Sequence, residues 1–444
     1  MMRSSDNETL TRVGPGTIMG DVMRRYWHPI CTSAQIMKPD SDPLRSRLLG
    51  ESFVAFRDSD GKVGVLEEFC MHRRVSLALG RVEKGGIRCL YHGWKYAADG
   101  TILETPNHCD PRFRGKKKAP AFPAVEAGGL VWTYIGEREK QPPLPIWGFM
   151  RPGPEENRVV IRLNTQANYL QLWEGGTDSS HVGILHSNRA NPTWMNGQFT
   201  PSQADYNPGA LTVEDNAPML DVQDTVFGFN AAAIRKMPVG EDGGSCKSLR
   251  VVPIMFPTGR IVPSPAYQFF VFETPQDDHR TSTYIVVQGD KPVDRAAILE
   301  LLGLGDERFW NKDTCDFTAS WDNRLGQSRA AMDKNWTGFS GIEQEDAVMA
   351  VSMGPIVDRS KEVLVTADRG VVHLRGRLLE NVRLLQSGKD PVGVGLKDCT
   401  RVYSLVDTIL RADEDWRDHM KHSVPQAAET EPARPVAHSA ATTG

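Results

Sequence analysis

The sequence predicts an α+β chain in two parts, a small all-β domain followed by a larger domain of mixed strands and helices. Three observations carry that expectation. Residues 45–136 fall into short alternating runs broken by Gly and Asp, the pattern of many short strands. A proline-rich joint, QPPLPIWGFMRPGPEE, follows at 141–156 and marks a boundary. Beyond it, strand-like and helix-like patterns run on for about 270 residues, too many for a mere appendage. The expected division is an N-terminal helical segment at 1–37, the all-β domain at 38–152, the mixed domain at 153–423 and a disordered tail at 424–444.

Taken in order, residues 8–28 begin with turn glycines around Pro15 and continue as a short amphipathic helix. SRLLGESFVAFRDSDGKVGVLEE reads as two strands about a turn at Asp58–Gly61. GGIRCLYHGWKYAADGTILETP adds two more about Ala-Asp-Gly, and GGLVWTYIG is another. After the joint, RVVIRLNTQANYLQLWE reads as a strand leading to a helical stretch, with a loop-rich region at 187–224. Strands are expected near 249–256, 267–273 and 281–288, and helices at 293–303, 342–352 and 363–387. The tail is rich in Pro, Ala, Thr and Glu and has little to bury.

Bulk properties exclude several classes. At 444 residues the chain exceeds one ordinary core. It is 40% hydrophobic and 24% charged, with no apolar run of membrane-spanning length. MMRSSDNETLTRVGPG lacks a signal-peptide core, so a cytoplasmic location is expected. A net charge of −4 points neither to nucleic acid nor to an anionic membrane. Seven cysteines, an odd number in a chain read as unexported, argue against a disulfide framework and for ligand chemistry.

Two of those cysteines stand in a pattern. Residues 70–92, CMHRRVSLALGRVEKGGIRCLYH, give Cys-x-His, sixteen residues, then Cys-x-x-His. Two thiolates and two imidazoles suit zinc or iron–sulfur chemistry. A zinc finger pairs its cysteines in one knuckle and its histidines in another. Here Cys70 and His72 come from one half, Cys89 and His92 from the other. A Rieske 2Fe–2S cluster needs that split, because one iron takes two thiolates and the other two imidazoles. Trp94 and Tyr96 follow as candidate shields. Cys31, Cys109, Cys246, Cys315 and Cys399 show no ligand spacing and are read as structural.

A second constellation is WEGGTDSSHVGILH, with His181 and His186 five apart and Asp178 just before. On an ideal helix the two histidines point about 140° apart, so converging them needs a kink or helix end near Gly183. A cluster relays electrons and needs an acceptor. A two-histidine, one-carboxylate iron site with positions open to O₂ is the expected one. GIEQEDAVMAVSMGPI offers Glu343, Glu345 and Asp346 as the carboxylate, and local physics does not choose among them. The short-range alternative for Asp178 is a helix N-cap before Ser179 and Ser180.

With these motifs in view, the chain resembles the catalytic subunit of Rieske non-heme iron aromatic-ring oxygenases. It is most similar to the phthalate dioxygenase branch, which includes aryl-ether O-demethylases such as dehydrodivanillate O-demethylase. The resemblance runs from LTRVGPGTIMGDVMRRYWHP through CMHRRVSLALGR, CLYHGWKY and DSSHVGILH to SMGPIVDRS. It implies a helix-grip-like catalytic domain with an antiparallel sheet, and a 2Fe–2S cluster on Cys70, His72, Cys89 and His92. It also implies a mononuclear Fe(II) on His181 and His186. The family's third ligand is an Asp six residues before the Ser of S-x-G-P-I, here Ser352, which selects Asp346. Glu343 and Glu345 are then expected to be solvated helix residues. Asp178 matches the acid that links one subunit's cluster histidine to its neighbour's iron histidine, in a homotrimer or a hexamer of two trimers.

The same resemblance implies electrons from a separate NAD(P)H-dependent reductase, with or without a ferredoxin, and an aromatic carboxylate substrate oxidised with O₂. O-demethylation is the favoured outcome and ring cis-dihydroxylation the alternative. An electron carrier without catalysis and a structural zinc protein are the rivals from other classes. Arg235 matches an arginine that meets substrate carboxylate, its alternative being a surface strand residue; Arg250 and Lys236 are weaker candidates. The sequence departs from the branch in having Met71-His72-Arg73-Arg74 where Pro-His-Arg-Gly is common, and in its long 187–224 loop. The RGKKK run at 114–118 is read as a solvated face, or as part of a docking patch for the electron donor.

Overall fold

The computed structural model describes residues 2–186, 215, 217–236, 246–264, 266–411 and 413–425. All but the first two residues of the expected disordered tail, and most of the loop-rich stretch, at 187–214, therefore lie outside the described residues.

Two helices open the chain, α1 (Ser4–Thr11) and α2 (Ile18–Met23). The second follows Pro15 as expected, and Thr17 caps it by accepting from the Gly20 N–H. Residues 28–32, within the segment expected to be helical, instead form strand β1 (His28–Thr32). β1 pairs antiparallel with β11 (Leu130–Thr133), which also pairs with β10 (Ala124–Ala127). The β-branched and aromatic run on β11 offered a buried edge that β1 fills.

The small domain is otherwise two four-stranded sheets. The first is β2 (Leu44–Leu48), β3 (Glu51–Arg57), β4 (Val63–Glu67) and β9 (Ala121–Phe122). The second is β5 (Arg81–Glu83), β6 (Gly86–Arg88), β7 (Lys95–Tyr96) and β8 (Ile102–Glu104). Val54, Phe56, Leu66, Ile87, Tyr96 and Ile102 form a core that also encloses Cys70 and Cys89.

The proline-rich joint leads through β12 (Ile146–Trp147) into an eight-stranded sheet. Its order is β13 (Arg158–Thr165), β19 (Arg280–Gln288), β18 (Gln268–Asp277), β17 (Gly259–Pro263), β16 (Cys246–Met255), β15 (Gly228–Lys236) and β14 (Met219–Thr225). β21 (Leu405–Arg411) pairs with β16, and β20 (Asp398–Cys399) pairs with β12. All pairings of the large sheet are antiparallel.

The expected strand at 158–174 is shorter than its apolar run. It ends at Thr165, and α3 (Tyr169–Thr177) begins after Asn168, whose side chain accepts from the Leu170 N–H. YLQLWE is buried on nearly every side, so its hydrophobicity carries no period that separates strand from helix. The cap residue was the available signal.

The other helices fall where expected: α4 (Val182–Leu185), α5 (Arg295–Leu302), α6 (Ile342–Ser352) and α7 (Arg369–Gln386). A buried ion network ties α3, α7 and the N-terminal helix together. Arg359, 0% exposed, donates to Glu174 on α3 and to Asn7 on α1. Arg375 on α7 donates to Glu174 and to Glu362. Glu174→Ala leaves two buried guanidinium groups without that carboxylate and should cost about 3–5 kcal/mol. A lowered urea midpoint at unchanged slope checks this; an unaltered midpoint would mean that the network relaxes into solvent.

Candidate metal centres

The first centre lies on two loops of the small domain built alike. In one, the Cys70 N–H donates to Val75 O at 2.9 Å and the Arg74 N–H to Cys70 O at 2.9 Å. In the other, the Cys89 N–H donates to Trp94 O at 2.8 Å and the Gly93 N–H to Cys89 O at 3.0 Å. The fourth residue after each cysteine has a positive φ, +59° at Arg74 and +74° at Gly93. The departure noted at Arg74 thus places a side chain in a left-handed turn that usually takes glycine. The Arg74 guanidinium leaves that turn to pair with Glu67.

Both loops deliver their residues to one place. Cys70 and Cys89 are buried, and the rings of His72 and His92 pack edge to face at 4.4 Å. His72 stacks on Trp94 at 5.0 Å, and the Trp94 N–H donates to Asn107. The Cys70 sulfur lies 3.1 Å from the Tyr96 hydroxyl. Burial pushes the Cys89 thiol up, while the backbone N–H groups of Tyr91 and His92 act the other way by favouring a thiolate. Burial also raises Tyr96, which keeps its O–H as a donor toward sulfur. Among the described residues, the buried Nδ1 of His72 has no hydrogen-bond partner. A buried lone pair left without a proton donor is costly, and a metal ion satisfies it. Two enclosed sulfurs and two adjacent imidazoles fit a cluster with one histidine-ligated iron.

The second centre is assembled from α3, α4 and α6. Asp178 is the C-cap of α3, and its Oδ1 accepts from both the N–H and the hydroxyl of Ser180 at 2.7 Å. The helix N-cap expected of Asp178 is not formed: it closes α3, the N-cap of α4 is His181, and the Asp178 carboxylate instead holds Ser180 and stands 3.4 Å from the Nδ1 of His181. His181 and His186 flank the single turn of α4, with His186 already outside helical geometry at ψ 18°. That helix end supplies the convergence an ideal helix denies.

Their Nε2 atoms lie 3.3 Å apart. Asp346 Oδ1 lies 3.7 Å from the Nε2 of His181 and 3.3 Å from that of His186. The three donor atoms all fall within 4.8 Å of one another. Ligand bonds of about 2.1 Å at right angles space donor atoms about 3 Å apart, so a slight contraction closes this triangle on an ion. The three residues fit a two-histidine, one-carboxylate iron.

The other two acids of α6 are not solvated. Glu345 is 1% exposed and its Oε2 meets the Nδ1 of His186 at 2.8 Å. Glu343 is buried beside Glu273 and Asp346, and burial with these like charges drives its carboxyl well above the usual range. The expectation failed because α6 is enclosed on more than one face, which its sequence does not signal. Around the histidines, the field favours a cation. Burial works against protonation of His186, but Asp346 and Glu345 outweigh it and raise the imidazole to about 10. Asp346 and Asp178 are both held below the ordinary carboxylate range; burial opposes this, and the facing histidines overcome it.

Arg235 is not on the surface. It is 3% exposed, and it donates from Nε to Asp215 O at 3.0 Å and from Nη2 to Ser179 O at 2.9 Å. Burial lowers it below its ordinary value, with Asp215 and Asp178 acting against that effect. Arg250 donates to the Ser179 hydroxyl at 2.7 Å. Both arginines therefore grip the loop between Asp178 and His181. A cavity of about 680 Å³ adjoins Arg235, with Lys236, Lys247, Arg369, Met219 and Val372 in its wall. Lys236 is exposed, as are Arg112 and the lysines at 116–118. All seven cysteines are free, and no described helix is long and apolar enough to cross a membrane.

Paired Cys/His loops in one domain and a two-histidine, one-carboxylate triangle in the next are the donor sets that a Rieske non-heme iron oxygenase requires. Comparison with known proteins agrees. A model described as Rieske 2Fe–2S domain matches residues 26–120, and one described as LigXa C-terminal domain like matches residues 133–438. The chain belongs to the family of oxygenase subunits that carry this pair, and it is an enzyme component rather than an electron carrier alone.

It is 34% identical to the phthalate 4,5-dioxygenase oxygenase subunit of Pseudomonas putida, over 96% of each chain. It is 32% identical to the 3-chlorobenzoate-3,4-dioxygenase oxygenase subunit of Comamonas testosteroni, covering 90% of this chain and 93% of that one. To the 5,5'-dehydrodivanillate O-demethylase oxygenase subunit of a Sphingobium species it is 28% identical, covering 89% and 84%. Among solved structures, NdmA of Pseudomonas putida CBB5 shares the fold with a TM-score of 0.55 at 18% identity, covering 90% of this chain and 100% of that one.

Proposed function

We propose that this subunit oxidises an aromatic carboxylate with O₂, and that its preferred reaction is O-demethylation of a methoxylated aromatic acid such as dehydrodivanillate. The observation that carries the reading is the triangle of His181, His186 and Asp346 in a chain that also holds a cluster domain. When loaded, the cluster relays single electrons and the three-ligand iron supplies O₂ activation at its open positions. The protein's own part is positional. Cys70, Cys89, His72 and His92 would hold the relay, and His181, His186 and Asp346 would hold the iron. Electrons come from NAD(P)H through a separate reductase, directly or by way of a ferredoxin.

The balance for one methoxy group is one O₂, two electrons and two protons. One oxygen atom enters the methyl carbon, the resulting hemiacetal breaks into a phenol and formaldehyde, and the other oxygen leaves as water. Ring cis-dihydroxylation is the second reading, favoured by the 34% identity to a phthalate 4,5-dioxygenase subunit. Incubation with a reductase, NADH and a panel of dehydrodivanillate, methoxybenzoates, phthalate and 3-chlorobenzoate separates the two. Formaldehyde with a phenol marks the first and a cis-dihydrodiol the second. Consumption of none of these acids by protein with both metals loaded would overturn the substrate class.

Arg235 is proposed to face the substrate carboxylate from the cationic side of the cavity, where its burial would make a charge-assisted bond strong. Arg235→Gln should weaken a carboxylate ligand by roughly 1.5–3 kcal/mol. Arg235→Lys should restore only part of that, lacking the planar fork. Substrate titration checks this with iron content as a control, because Arg235 also holds the Ser179 carbonyl. Unchanged affinity in both variants would leave Arg235 as a support for the loop alone.

The active form is proposed to be a head-to-tail trimer, or a hexamer of two, with each cluster beside a neighbour's iron. Exposed Leu79, Leu90 and Tyr91 around the cluster loops, and exposed Ile184 and Met353 near the iron elements, offer apolar surface for such contacts.

A further inference from the structure

Each candidate iron histidine has a carboxylate behind it. His181 Nδ1 lies 3.4 Å from Asp178 Oδ2, and His186 Nδ1 lies 2.8 Å from Glu345 Oε2. Glu345 stands next to Asp346 on α6, about 100° round the helix. That offset lets Asp346 reach the Nε2 side of His186 while Glu345 reaches the opposite, Nδ1 side.

We propose that Glu345 is the positioning residue that sets the tautomer and ring angle of His186, with Thr337 as its lock. Both carboxylate oxygens are engaged. Oε2 accepts from His186, and Oε1 accepts from the Thr337 hydroxyl at 2.5 Å. Glu345 therefore stays on the rear of the imidazole. Thr337 is itself tied down: its carbonyl accepts from Gln327 at 2.9 Å, and its hydroxyl oxygen accepts from the Phe339 N–H at 3.3 Å. The chain Gln327, Thr337, Glu345, His186 runs from a loop to the centre of the site.

An imidazole whose Nδ1–H is given to a carboxylate presents a bare Nε2, the atom that faces Asp346 and His181. The carboxylate also raises the basicity of that lone pair. The short α4 turn cannot hold His186 by itself, because the residue lies past the helix end with backbone outside the helical region. Orientation must come from tertiary contact, and Glu345 supplies it.

The inference rests on the three-residue iron site, and the experiment separates the two. Glu345→Ala, Glu345→Gln, Thr337→Val and Asp346→Ala are prepared as full-length protein with the cluster loaded. Iron(II) affinity is read by chelator competition, and ligand geometry by the EPR signal of the ferrous site treated with nitric oxide. Cluster absorbance reports folding. Glu345→Ala should lower iron affinity about 10- to 100-fold and alter the EPR line shape. Glu345→Gln should fall between it and the wild type, keeping an acceptor but no charge. Thr337→Val should shift both readouts in the same direction by less.

Iron affinity and line shape at wild-type values in folded Glu345→Ala would overturn the proposal. If the Glu345 variants lose the cluster, Thr337→Val decides by the same two criteria. Full iron binding in Asp346→Ala would instead show that the site itself is misplaced.

Discussion

Asp346→Ala is expected to remove turnover while the cluster remains reducible. Loss of a direct ligand should exceed the roughly 10- to 100-fold that outer-shell changes cost, because the remaining two histidines no longer define a three-ligand face. His181→Ala and His186→Ala should do the same. The converse variants, His72→Ala and His92→Ala, should abolish the Rieske EPR signal and leave the mononuclear iron in place. Iron content, cluster EPR and product formation measured on the same samples test both halves. Full activity in Asp346→Ala would end the assignment. Glu345 is then the less attractive substitute, since its oxygens are already committed to His186 and Thr337.

Asp178→Asn is expected to leave both centres occupied and to slow electron transfer between them severely. Within one chain, Asp178 Oδ1 is taken by Ser180 and Oδ2 points at His181. A carboxylate has lone pairs left for one more donor, such as an imidazole N–H from a neighbouring cluster. The amide keeps the shape, and Asn can still satisfy Ser180, but it lacks the charge and one of the acceptor oxygens. Single-turnover oxidation of the reduced cluster, with substrate and O₂ present, reads the effect. Wild-type rates in the variant, or full activity from monomer at high dilution, would overturn the proposed ring of subunits.

Much of this is legible in the sequence. The cluster motif occupies 23 consecutive residues, and its four side chains belong to two turns of the same small domain. Short-range spacing therefore carries nearly all of its information. Two hairpins of that domain, β3–β4 about Asp58–Gly61 and β7–β8 about Ala-Asp-Gly, were readable for the same reason, since turn residues and alternation act over a few positions, whereas the β2–β3, β5–β6 and β10–β11 turns were not read. The strand that closes its third sheet, His28–Thr32, was not, because its partner β11 lies about a hundred residues away.

The iron site divides along the same line. The sequence by itself determined the class of protein, the two loops of the cluster, and the pair His181 and His186 with an acid at Asp178. It could not orient α6. Helical periodicity sets the angles between Glu343, Glu345 and Asp346 relative to one another, but not the rotation of their helix against α3 and α4. Only the tertiary structure decided that Asp346 faces both Nε2 atoms, that Glu345 turns to the rear of His186, and that Glu343 sinks beside Glu273. The reason is physical: local sequence fixes the directions of side chains within an element, whereas which of them turns toward His181 and His186 is set by packing between elements some 160 residues apart.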